Sequence, residues 1–170
     1  VKTVQLRHEI DLDEDVFWNE CMLVEAFNKR LFVEHLKFGK YVLLEQRDEG
    51  GKVVKRQELE PPLVGLPGPV KKVIGDRLSY LEEGVFDKAS KVYSFKVIPS
   101  TMPDKTTVTG TMRTAALAPG RCLRTVDVTV EVKVFGIGGL VEDKIAGDLR
   151  GSYENTVAFL NEFGRTRKAP

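Results

Sequence analysis

Val4, Leu6, His8 and Ile10 lie on one side of an alternating stretch whose other side carries Gln5, Arg7 and Glu9. A period of two is that of a half-buried strand. The spacing then changes. Asp11 and Asp13 are N-cap residue types, and Glu14 and Asp15 suit a first helical turn. Phe17, Cys21 and Val24, then Phe27, Leu31 and His35, recur every three to four positions. This predicts one bent helix or two short ones, stopped by Gly39.

Two strands are predicted next, 40–47 and 52–60, joined by the turn Asp48-Glu49-Gly50-Gly51. The second carries Lys55, Arg56, Gln57 and Glu58 and is too polar to be buried on both faces. The run from Pro61 to Val70 is apolar, rich in proline and without a period, so it reads as a loop entering a short helical turn near Val70 to Ile74. Alternation resumes through Leu78 and Tyr80 to about Phe86, then through Tyr93, Phe95 and Val97. A Thr- and Val-rich strand spans 106–117, and Pro119-Gly120 turns the chain. In the last strand Cys122, Val126, Val128, Val130, Val132 and Val134 share a face. Gly136 to Gly139 breaks it and opens a helix to about Phe163, roughly 38 Å long. Ile137, Val141, Ile145, Leu149, Tyr153, Val157 and Leu160 form its apolar stripe, with Glu142 off it.

Consecutive strands joined by short turns make an antiparallel sheet. One amphipathic helix cannot cover seven flat strands, so the sheet is expected to curl around it and leave a cavity. The opening alternation, the helix from Asp13, the ladder Val126 to Val134 and the entry Phe135-Gly136-Ile137-Gly138-Gly139 into a helix with Glu142 and Ile145 together resemble the START-like (SRPBCC, Bet v 1-like) superfamily. More narrowly, the chain looks like one of that superfamily's uncharacterised bacterial branches. The resemblance covers almost the whole chain. It implies an α+β helix-grip fold: a curved seven-stranded antiparallel sheet around a long C-terminal helix, with one or two short helices after strand 1. It further implies a pocket for a lipid, sterol, polyketide or similar apolar molecule. The length fits a single domain, expected over 1–164, and residues 165–170 read as a basic tail. No catalytic signature comes with it.

The charge balance, 26 Lys+Arg against 25 Asp+Glu in 170 residues, argues against a nucleic-acid partner bound through bulk charge. No apolar run reaches the ~20 residues of a membrane span, so stable insertion is not expected; transient contact through the apolar loop and Lys71-Lys72 stays open. Two cysteines make no disulfide scaffold, which points to the cytoplasm. His8 and His35 are the two histidines, and no Cys or His pair has ligand spacing, so neither metal nor cofactor is expected. Cys21 and Cys122 read as small buried hydrophobes rather than nucleophiles. Oligomeric state is not encoded in any pattern found.

The expected ligand enters beneath the loop around Leu63 to Val70. The candidate lining is Phe17, Trp18, Phe27, Leu31, Leu66, Tyr80, Tyr93, Phe95, Met112, Arg124, Ile145, Leu149 and Tyr153. Arg124 interrupts the valine ladder, where it either meets a carboxylate head group or sits near the strand end, in solvent or an ion pair. Gly147 and Gly151 each cost a helix about 1 kcal/mol against Ala, which close helix–sheet packing or room for a ligand would explain. Two other readings remain: a cyclase or hydrolase using His8 or a cavity tyrosine, and an interaction module that docks through the 61–74 loop.

Overall fold

The opening alternation forms β1 (Lys2–Ile10), with Val4, Leu6 and Ile10 buried and Arg7 and Glu9 exposed. The structure, a computed structural model, describes residues 1–168. After β1 come two short helical stretches rather than one bent helix. α1 (Glu14–Val16) widens into a π-helical turn over Phe17–Met22, and α2 (Glu25–Lys29) widens likewise over Arg30–His35. Val24 between them is extended, with φ −111° and ψ 118°. The Asn28 amide secures this break by donating to the carbonyls of Val24 and Met22, both at 2.9 Å.

The remaining strands are β2 (Lys40–Asp48), β3 (Lys52–Glu60), β4 (Tyr80–Asp87), β5 (Val92–Pro99), β6 (Thr106–Ala118) and β7 (Arg121–Val132). α3 (Gly68–Ile74) lies in the loop between β3 and β4, and α4 (Gly138–Lys168) closes the chain. All neighbouring strands pair antiparallel, in the order β1-β7-β6-β5-β4-β3-β2. This is the helix-grip fold. β1 returns to β7 with Val4 opposite Val128 and His8 opposite Arg124.

Seven strands at about 4.8 Å make a sheet roughly 30 Å wide, against about 10 Å for one helix. α4 rests chiefly on β1 and β7, at one end of that sheet. The inner faces of β3, β4 and β5 are therefore left for something else to cover. The two helical stretches and the 61–79 segment do so, and the space they leave is the site described below.

Several expectations change at the element ends. β7 stops at Val132 rather than Val134, because the Glu142 carboxylate accepts the Val132 amide at 2.9 Å and fixes the turn into α4. Glu142 is thus buried, not on the solvent side of the helix. α4 runs past Phe163 to Lys168, where the Arg167 guanidinium donates twice to Glu20, at 2.9 and 2.8 Å. Residues 169 and 170 of the expected basic tail lie outside the described residues. Gly164 is where α4 needs a glycine: a Cβ there would stand 2.5 Å from the Asp11 carbonyl. Gly147 and Gly151 are different. A Cβ on either would meet nothing within 4 Å, so close packing does not account for them. No helix among the described residues is long and apolar enough to cross a membrane.

Candidate functional site

Ile145, Leu149 and Tyr153 form the middle of the α4 stripe, yet they are only partly buried. They do not pack down on the sheet because a cavity of about 200 Å³ lies between them and it. Phe95, Val97, Val108 and Met112 wall it from β5 and β6. Trp18, Leu31 and Phe32 come from the helical stretches, Leu36 and Phe38 from the segment that follows them, and Pro61, Leu63, Leu66 and Ile74 from the loop. The loop is latched to α4 by Lys144, whose ammonium donates to the Val64 carbonyl and pairs with Asp148 at 2.8 Å.

The structure gathers Trp18, Leu31, Leu66, Tyr80, Tyr93, Phe95, Met112, Arg124, Ile145, Leu149 and Tyr153 around this space. Phe17 and Phe27 are not part of the wall. Phe17 is fully buried edge-on to Trp18, and Phe27 packs between Phe159 and Phe163 near the end of α4. A helical spacing puts residues on a face without saying how deep along the helix the cavity extends.

The cavity wall also carries polar groups from β3 and β4 that were not among the expected lining. Lys55 and Gln57 point inward and are buried, and Glu82 joins them from β4. Gln57 stands opposite Glu82 in the register and donates to its Oε2 at 2.7 Å. The Tyr93 hydroxyl donates to the same oxygen at 3.0 Å. Burial holds the Glu82 carboxyl above the usual carboxylate range, against the opposing pull of Lys55 and these two donors. Lys55 lies diagonally from Glu82, two residues along β3 from Gln57. Its ammonium makes one hydrogen bond, to the Met22 carbonyl at 2.9 Å, and no carboxylate among the described residues lies within 4.0 Å of it. Burial lowers its pKa to about 8. The tyrosines Tyr80, Tyr93 and Tyr153 are pushed up by the same desolvation and stay protonated donors.

A sequence signal for these residues existed. Val53, Lys55, Gln57 and Leu59 share one parity, as do Tyr80, Glu82, Gly84 and Phe86, and both sets face inward. The polarity of β3 is therefore not confined to its outer face.

Arg124 is buried, not at a solvent-exposed strand end. Its guanidinium donates to Thr156 Oγ1 at 2.7 Å and to the Tyr153 carbonyl at 2.8 Å, and lies over the Tyr153 ring. These bonds fasten α4 to β7. Another of its N–H groups reaches His8 Nδ1 at 3.1 Å. Desolvation first, and Arg124 second, lower the His8 pKa, and His8 is not part of the cavity wall. Cys21 and Cys122 are fully buried, and burial raises their thiols to about 12 and about 11. Among the described residues no group of three or more His, Cys, Asp or Glu is placed to hold a metal ion.

No curated protein matches this sequence. Solved structures match over nearly the full length. A protein from Thermus thermophilus has a TM-score of 0.67 and 15% identity, covering 99% of this chain and all of that one. The Zhui aromatase/cyclase from a Streptomyces species has a TM-score of 0.65 and 13% identity, covering 99% and 96%. A START superfamily protein from Mycobacterium smegmatis has a TM-score of 0.64 and 13% identity, covering 95% and 98%. At such identities the likeness carries the fold, which is START-like. A family model described as "Protein of unknown function (DUF2505)" matches residues 8–163, from within β1 to the last turns of α4.

Proposed function

The chain belongs to the DUF2505 family, and from its own geometry we propose that it binds a compact hydrophobic molecule between the sheet and α4. The observation that carries this reading is the half-buried stripe Ile145, Leu149 and Tyr153 facing an apolar space. Apolar side chains on a helix normally bury against the layer beneath, and leaving them short of it forfeits packing. Occupancy by an apolar molecule would restore those contacts, at about 25 cal/mol per Å² of surface removed from water.

The volume narrows the ligand class. About 200 Å³ exceeds the roughly 150 Å³ apolar cavity that admits benzene but falls below the 300–1,000 Å³ of pockets for drug-sized ligands. A molecule of one or two rings, or a short chain, fits this space better than a sterol or a long lipid. Lys55, Gln57, Glu82 and Tyr93 supply one polar region to orient it. The similar Streptomyces protein is an aromatase/cyclase, and a ring-bearing ligand for this chain agrees with that.

Trp18, the only tryptophan, lines the cavity, so it reports occupancy directly. Titration with 2-aminonaphthalene, a neutral two-ring fluorophore that absorbs where tryptophan emits, should give saturable energy transfer from Trp18 at one probe per chain. Filling the space with the double substitution Val97→Phe and Leu149→Phe should weaken binding at least tenfold in a folded protein. Absence of transfer in the wild type, or unchanged affinity in the filled variant, overturns the proposal.

A further inference from the structure

Lys55 is an amine with no ion-pair partner among the described residues, on the wall of a largely apolar cavity, and Glu82 is an acid beside it. One of its N–H groups is committed to the Met22 carbonyl, and the rest of the ammonium has no partner among the described residues. The pair is held from three strands. Gln57 and Tyr93 fix one oxygen of Glu82, and Gly84, directly opposite Lys55, leaves room for the Tyr93 ring to lie between β3 and β5. A buried cation gains little stability from such surroundings, so its placement calls for a chemical reason.

We propose that Lys55 forms a reversible imine with an aldehyde or ketone held in the cavity, with Glu82 handling the protons. This rests on the binding reading above and names the functional group of the ligand. The Nζ lone pair adds to the carbonyl carbon, one of the two amine protons passes to the carbonyl oxygen, and the product is a carbinolamine. Glu82 gives its proton to that hydroxyl, water leaves, and the nitrogen proton returns to Glu82. One carbonyl compound and one amine yield one imine and one water, with no net oxidation. Desolvation supports each part: it favours the neutral, nucleophilic amine and the protonated acid, and it excludes the bulk water that would hydrolyse the product.

The test uses the full chain with 2-naphthaldehyde and sodium cyanoborohydride, read by intact mass and peptide mapping. One adduct per chain on Lys55 is expected, with labelling there at least tenfold above any exposed lysine. 2-Naphthalenemethanol, which cannot form an imine, should compete. Lys55→Met and Lys55→Arg should both abolish the adduct, the latter keeping the cation, and Glu82→Gln should slow trapping at least tenfold. Labelling spread over surface lysines and unchanged in the Lys55 variants overturns the inference. If the alcohol still perturbs Trp18 in that event, the imine fails and the cavity reading stands; if neither compound does, both fall.

Discussion

Gly84 and Tyr93 occupy the same space: a Cβ on Gly84 would lie 2.2 Å from the Tyr93 ring and 2.3 Å from its hydroxyl. The missing side chain in β4 lets the ring lie across it and reach Glu82. A glycine inside a strand ordinarily weakens it, by roughly 0.5–1 kcal/mol against alanine. Here the sign should reverse. Gly84→Ala is expected to destabilise by about 1–3 kcal/mol, as overpacking does, and Tyr93→Ala should relieve most of that in the double variant. Urea unfolding of the four proteins measures the coupling. Additive losses would mean that the two positions do not meet.

Lys55 makes stability depend on pH in the alkaline range. Its pKa falls from 10.5 to about 8 on folding, so between those values the unfolded chain holds a proton that the native chain has released. Stability must then rise with pH across that window, and the burial penalty is fully present below pH 8. The climb attributable to this group is on the order of 3 kcal/mol. Chemical denaturation at pH 7.5, 9 and 10.5 should show it in the wild type and not in Lys55→Met. Parallel curves for the two proteins would place Lys55 in water.

Gly147 and Gly151 lie along the stretch of α4 that borders the cavity, with open space where their side chains would be. Gly147→Ala and Gly151→Ala should each stabilise by about 0.5–1 kcal/mol through helix propensity. The double variant should melt a few degrees higher by circular dichroism. A lower melting temperature would show that the helix packs closely there in solution.

Both thiols should be silent in the native protein. Cys21 and Cys122 are fully buried and held protonated well above neutrality. Ellman's reagent at pH 8 is expected to find no rapidly reacting thiol in the folded chain and two in guanidinium. A fast native reaction at either position would require an opening near α1 or the start of β7.

The fold was legible because its signals are local and redundant. Each strand carries its own alternation, and the turn residues Gly50, Gly51 and Gly120 sit where the hairpins turn. The valine ladder in β7 marks the strand that is flanked on both sides and covered by α4. Phe17 and Phe27 show the limit of such signals. Their helical face was readable, but not that Phe17 packs edge-on to Trp18 and Phe27 beneath the far end of α4, both away from the cavity.

By itself the sequence determined which residues share a face, since parity in a strand and period in a helix are properties of the local backbone. That was enough for a curved sheet, a single long helix and a space between them. Only the tertiary structure decided how large that space is and which polar groups enter it. Lys55, Gln57 and Glu82 were on the inward parity all along. Whether an inward polar residue meets a packed core or a cavity depends on where α4 comes to rest, and it rests on β1 and β7. No stretch of β3 or β4 records that distance.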